Sequence, residues 1–175
     1  AKGELLLSGT EISDEYVTQH GSVYQMKGPY TNPIVVTASS DVTINITGDI
    51  TYTGIKDNHG SIKGNGPFNY VVVADNANGN VTVNNSNYSI VAEGEGEWRG
   101  ILYVKPNGHA VVNGGHYTSG DYNPKETFYC WSNGTLTLND VNVYGALMVQ
   151  NNGGTTTIHG GTYRRTGIDD TVKTA

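Results

Sequence analysis

One short pattern returns six times along this chain and limits its possible folds more than any bulk property. Aligned on the apolar residue that closes a strand-like run, the copies are "VTINITGDI" at Ile44, "SIKGNGPF" at Ile62, "VTVNNSNY" at Val83, "AVVNGGHY" at Val112, "LTLNDVNV" at Leu138 and "TTIHGGTY" at Ile158. Steps between these anchors are 18, 21, 29, 26 and 20 residues. Periods of this size mark stacked repeats, in which a unit buries its apolar face only against its neighbours. Behind each anchor lies a second apolar run: "IVVTA", the weaker "GIKD", "VVVAD", "ILYVK", "FYCWS" or "ALMVQ". Five or six residues beyond the anchor comes a large apolar residue, namely Ile50, Phe68, Tyr88, Tyr117, Val143 or Tyr163.

Each unit therefore reads as three short strands separated by turns. Such coils stack with like strand beside like strand in parallel, roughly 4.8 Å apart, so six of them make a prism about 29 Å tall. Composition agrees, because 24 glycines and a hydrophobic share of 36% suit many tight turns rather than a helical globule. Asn45, Asn84, Asn113 and Asn139 directly follow their anchors, whereas Lys63 and His159 depart from the pattern. Asparagine suits a corner on two grounds: it tolerates the left-handed backbone of a tight bend, and its amide both donates and accepts between neighbours.

Strand alternation then assigns the faces. In the second strand Val42/Ile44, Val81/Val83, Ala110/Val112 and Leu136/Leu138 point inward, leaving Thr43, Thr82, Val111, Thr137 and Thr157 as an outer column. In the first strand the expected core is Ile34/Val36, Val71/Val73, Leu102/Val104, Phe128/Cys130 and Leu147/Val149, with Cys130 an inert buried thiol. The competing architecture is an antiparallel β-sandwich, for which Asn-Gly at Asn78, Asn107, Asn133 and Asn152 would signal hairpins. Six recurrences of one three-strand order are hard to obtain from hairpins.

From Ile34 to Tyr163 the pattern resembles the right-handed parallel β-helix of the pectate-lyase and polysaccharide-lyase superfamily, in which stacked asparagines often occupy the turn between the second and third strands. The expected fold is an all-β, right-handed, single-stranded parallel β-helix of about six three-strand coils. Residues 1–33 form an N-terminal cap or partial first coil, residues 34–163 the helix, and residues 164–175 a polar tail or linker. The resemblance does not extend to catalysis. The RxPxxR pattern of pectate lyases is missing, and of the polygalacturonase motifs only "DD" at Asp169-Asp170 is present, with "NHG" at Asn58–Gly60 lacking its partners.

Extra residues concentrate after the third strand, in Ile90–Gly100 and Thr118–Thr127, and long loops on one edge of a repeat scaffold are where binding usually occurs. Both flank the outward face of the first strand. Parity there stacks Val35, Val72, Tyr103, Tyr129 and Met148 in one column and Lys105, Trp131 and Gln150 in the next. The candidate binding residues are Tyr103, Tyr129 and Trp131 as an exposed aromatic platform, with Lys105 beside them and Trp98, Arg99 and Tyr122 on the loops. Flat aromatic surfaces with polar neighbours suit a sugar ring or a protein contact. A surface column of β-favouring residues without a ligand is the bland reading.

Other chemistry has less support in the residues. "EGEGEW" places Glu93, Glu95 and Glu97 in a glycine-rich loop, but no DxDxDG pattern accompanies them, so a solvated acidic loop is expected rather than a calcium site. The five histidines show no metal-ligand spacing, and no catalytic residue, metal or cofactor is assigned. A net charge of -6 disfavours nucleic-acid and anionic-membrane partners, and no apolar run is long enough to span a bilayer.

The expected function is therefore non-catalytic recognition or adhesion, binding a polysaccharide, host glycan or glycoprotein. The superfamily resemblance implies an extracellular or cell-surface, bacterial setting, as a monomer or one domain of a larger chain. The alternatives are a host-protein ligand such as an immunoglobulin, and a lyase or glycoside hydrolase with an acid pair drawn from Glu97 with Asp121 or Glu126.

Overall fold

The computed structural model describes residues 4–7, 17–30, 34–37, 41–52, 70–92, 100–119, 126–145 and 147–165. Among these the protein is all-β, with parallel strands in two curled sheets and no helix. The first sheet holds β4 (Ile34–Thr37), β6 (Tyr70–Ala74), β9 (Gly100–Val104), β12 (Glu126–Trp131) and β15 (Leu147–Asn152), paired in parallel in that order. In the second sheet one ladder runs through β3 (Val23–Tyr30), β5 (Val42–Tyr52), β7 (Val81–Asn85), β10 (His109–Asn113), β13 (Thr135–Asn139) and β16 (Thr155–His159). Another runs from the far end of β5 through β8 (Ser89–Ala92), β11 (His116–Ser119), β14 (Asn142–Gly145) and β17 (Thr162–Arg165). Because β5 serves both ladders, the second sheet bends around the core, and the chain visits the three ladders in rotation. Only the N-terminal strands run otherwise: β1 (Glu4–Leu7) lies antiparallel on β4, and β2 (Val17–His20) antiparallel on β3.

Alternation makes the core. Val42, Ile44, Val81, Val83, Ala110, Val112, Leu136 and Leu138 are all buried, while Thr43, Thr82, Val111 and Thr137 share one outward row in register with Thr157. The main core cluster draws residues from all three ladders, and the edge-on pair of Tyr117 and Phe128, 5.2 Å between ring centres, crosses from the third ladder to the first. The antiparallel sandwich is excluded, since neighbouring strands of successive units run in the same direction.

The asparagines following the anchors form a hydrogen-bonded ladder of one polarity. Asn84 Nδ2 donates to Asn45 Oδ1 at 3.0 Å, Asn113 to Asn84 at 2.9 Å and Asn139 to Asn113 at 2.8 Å. Their backbone is extended, however, so the left-handed conformation expected of them belongs elsewhere. It falls on the next residue, Gly114 (φ 70°), Asp140 (φ 49°) or Gly160 (φ 69°). Holding the stack and turning the chain are thus separate tasks of adjacent residues. The Asn-Gly signals likewise lie in turns between first and second strands, with Asn107 (φ 64°) and Asn133 (φ 57°) left-handed and each following glycine nitrogen closing a turn onto Lys105 or Trp131 at 2.8 Å.

Two expectations are corrected. First, β5 pairs directly with β7, Ile44 opposite Val83, and β4 directly with β6, so the Ile62 unit supplies no rung between them. That unit, including "GIKD", Lys63 and Phe68, lies outside the described residues. Second, the inward residue of the third strand in the Val83 unit is Ile90, opposite Ile50 and Tyr117, whereas Tyr88 is exposed. Asn85 causes the offset: its buried side chain accepts from Tyr88 N and donates to Tyr88 O, which lengthens the turn. In the N-terminal segment, β3 pairs with β5, with Tyr24 and Met26 buried and Gln25 opposite Asn45.

The ladder should be sensitive in its middle. Asn113→Ala removes an amide bonded on both sides and is expected to cost about 1–3 kcal/mol in urea unfolding, against about 0.5 kcal/mol or less for Asn87→Ala on the exposed turn. Alkali should also unfold the protein through its core tyrosines. Burial pushes the Tyr163 hydroxyl up from 10.0 to about 12, and burial raises Tyr117 further despite its hydrogen bond. The folded state keeps these protons while the unfolded chain releases them, so stability is intact below pH 10 and falls as pH rises through 12. Tyr163→Phe is expected to flatten that decline in pH-dependent unfolding followed by circular dichroism.

Candidate functional site

The outward face of the first ladder carries the candidate site. In register across it stand Val35, Val73, Tyr103, Tyr129 and Gln150, and Asn152 lies opposite Trp131. Parallel pairing without slip brings residues 26 apart in the chain into adjacent rows, so Tyr103 and Tyr129 stack with ring centres 5.2 Å apart and planes 27° apart. Trp131 shares their face because it lies two residues beyond Tyr129. Its ring sits 5.3 Å from Tyr129 and 6.5 Å from Tyr103.

This surface is more closed than the expected exposed platform. Tyr129 is only 4% exposed and Tyr70 only 2%, and together with Val73 they form a second, smaller apolar cluster against which Tyr103 and Trp131 pack half-buried. Tyr103 and Trp131 are therefore the rings that reach solvent. Tyr129 still has a polar handle, its hydroxyl accepting from Asn152 Nδ2 at 3.3 Å. Tyr70, opposite Gly100 in the next row, joins them, its ring lying 5.2 Å from Tyr103.

The composition of the column also differs from expectation. Val73 rather than Val72 lies opposite Tyr103, while Val72 is in the main core opposite Leu102. "YVVVA" is apolar at every position, so its alternation carries no phase. Gln150 rather than Met148 lies opposite Tyr129, which keeps the face and shifts the row by two residues.

At one border of the rings Lys105 Nζ meets Asp75 Oδ2 at 2.8 Å, in a part-exposed ion pair. Asp75 was not among the expected site residues, although "VVVAD" and "ILYVK" align residue for residue and place the two charges one row apart. A surface pair of this kind contributes about 0–1 kcal/mol, so its main effect is to orient the lysine. Trp98, Arg99 and Tyr122 lie outside the described residues, as do Glu93, Glu95, Glu97, Asp121 and Lys125, and the Glu126 side chain is likewise not described. Among the described residues no group of three or more His, Cys, Asp or Glu side chains is arranged to hold a metal. Of the histidines, His109 and His116 open strands rather than sit in turns, and His159 occupies the ladder position opposite Asn139.

Comparison with known proteins returns no matching family model, no matching curated protein and no matching solved structure. The arrangement of side chains thus carries the functional argument. Stacked rings with amides and one oriented cation offer apolar faces and hydrogen bonds in a fixed geometry.

Cys130 lies directly beneath this face but points into the core, where it is fully buried. Burial pushes its thiol up, against the opposing effect of hydrogen bonds with Thr156 and Thr155, and Sγ makes weak contacts to Thr155 O at 3.9 Å and Trp131 O at 4.0 Å. A thiol reagent such as dithionitrobenzoate should therefore leave Cys130 unmodified in the folded protein and react fully after denaturation in guanidinium.

Proposed function

We propose that this chain is a right-handed parallel β-helix that acts as a non-catalytic recognition module, binding a glycan at an extracellular surface through the aromatic face of its first ladder. Three ladders visited in rotation support the β-helix reading, and the right-handed sense follows from the strong preference of parallel crossover connections. The single observation that carries the functional reading is the stack of Tyr103 on Tyr129 with Trp131 alongside, held on strands rather than on loops. Rings fixed by a sheet lose little freedom on binding, and their faces match the apolar faces of pyranose rings. Lys105, Gln150 and Asn152 border the rings and supply donors and acceptors for hydroxyl groups.

Among the described residues, Asp75 at the border of the rings is tied to Lys105, which favours orientation over acid–base work. A polysaccharide lyase or hydrolase would need its acid pair from elsewhere.

A glycan array followed by titration of the best oligosaccharide, read by tryptophan fluorescence, tests the proposal. Trp131→Ala and Tyr103→Ala are each expected to weaken binding roughly tenfold or more, equivalent to about 1.4 kcal/mol. Tyr129→Phe, which keeps the buried ring, should bind within about threefold of the parent. Retention of full affinity by the Trp131→Ala, Tyr103→Ala double variant rejects the face. New reducing or unsaturated ends released from polysaccharide reject the non-catalytic assignment, and selective capture of a plasma protein with no glycan bound moves the ligand to the protein class.

A further inference from the structure

The corner between first and second strands is built in two versions. Five residues make the turn from Val104 to Ala110 and again from Cys130 to Leu136, with the strands on either side in register. From Ala74 to Val81, which stand in register with Val104 and Ala110, there are six, Asp75 to Asn80. All three turns carry Asn-Gly, at Asn78, Asn107 and Asn133, and a further such pair, Asn113-Gly114, follows a second strand.

The extra residue sets Asn78 apart chemically. In the five-residue turns Gly108 N donates to Lys105 O and Gly134 N to Trp131 O, each at 2.8 Å. Asn107 N and Asn133 N donate to Ser132 O and Gly153 O of the following rung, each at 3.0 Å. Gly114 N donates to Asn139 O at 2.8 Å, and the Asn113 amide is bonded on both sides. At the longer turn, among the described residues, neither the Asn78 carboxamide nor the Gly79 N–H has a hydrogen-bond partner. Asn78 is exposed, and buried Asn76 fills the inside of this corner instead. Nor does Asn78 share the left-handed backbone of Asn107 and Asn133.

From these differences we propose that Asn78-Gly79 is a site of spontaneous covalent modification, where the chain deamidates through a cyclic imide. The Gly79 nitrogen, giving up its proton to hydroxide, attacks Cγ of Asn78. A bond forms between them, the bond from Cγ to Nδ2 breaks, and ammonia leaves with a proton taken from water. Water then opens the imide at either carbonyl, which yields aspartate or isoaspartate. The balance is one water consumed and one ammonia released, with no oxidant or reductant. Glycine favours the attack because it has no side chain to restrict rotation about the reacting nitrogen. An N–H held in a hydrogen-bonded turn must first be released by local opening.

Either product adds a negative charge to a chain whose net charge is -6. Isoaspartate also lengthens the backbone, in a turn whose far end is fixed by Asn80 N on Asp41 Oδ1 and by Val42 N on Asn80 O, each at 2.9 Å. The added length is therefore taken up at exposed Ala77 and Asn78. The inference is independent of the aromatic face.

Peptide mapping by mass spectrometry of the 175-residue chain, kept folded at mildly alkaline pH, tests it. Asn78 is expected to convert roughly tenfold or more faster than Asn107, Asn113 and Asn133, whose glycines must first leave their hydrogen bonds. In guanidinium the four rates should come together. Gly79→Ala, at a position without positive φ, should keep the circular dichroism of the parent and slow the loss of the Asn78 amide. Equal rates at the four asparagines of the folded protein, or a faster rate at any of the other three, overturn the inference. So does conversion of Asn78 that Gly79→Ala leaves undiminished, or that yields aspartate alone, since either would mean direct hydrolysis of the side-chain amide.

Discussion

Vertical register is the constraint on which everything else in this protein depends. A side chain in a strand changes face with every residue, so a slip of one position between rungs would expel a whole apolar row from the core. Burial alone resists that slip, but it does so weakly against a shift of two, which restores the same face. The amide ladder removes this freedom. Asn45, Asn84, Asn113 and Asn139 bond one another only when each lies one strand spacing from the next, and a slip between any two of these rungs breaks the bond that spans them. Their common polarity also leaves the amides mutually aligned, which strengthens a chain of hydrogen bonds.

With register held by the ladder, turns are free to differ. The corner after Asn113 uses two glycines, the corner after Asn139 uses Asp140 in a left-handed conformation, and the corner after Asn84 is longer because Asn85 folds back onto Tyr88. The other corner shows how tightly turns pack between rungs. A side chain at Gly134 would stand 2.9 Å from the Trp131 carbonyl oxygen and 3.0 Å from Val104 Cγ1, so the stack leaves no room for one. Variation in loop length is thus permitted outside the prism and refused at its inner corners.

How much of this was legible follows from the same physics. The second strands could be read residue by residue, because Val-x-Val, Ala-x-Val and Leu-x-Leu alternate without ambiguity, and the observed rows match. "YVVVA" could not, since five adjacent apolar residues fit either phase, and the choice was made by packing of Val72 on the core side and Val73 against Tyr70 and Tyr129. The Ile62 segment has the right spacing but meets direct pairing of its neighbours, Ile44 with Val83, which a period by itself cannot reveal. At the candidate site, sequence located the Tyr103, Tyr129 and Trp131 column. The burial of Tyr129 and the participation of Tyr70 are tertiary facts, set by packing in the second cluster.

The same register serves the aromatic column. Tyr103 lies opposite Tyr129 and stacks on it because neighbouring first strands pair without slip, whereas a shift of two residues would set Tyr103 against Trp131 and undo the 5.2 Å stack. The Lys105–Asp75 pair depends on the same alignment of "VVVAD" with "ILYVK". The amides on the second strands and the rings on the first are therefore two products of one vertical alignment, and a change that loosens the ladder is expected to disturb the face as well.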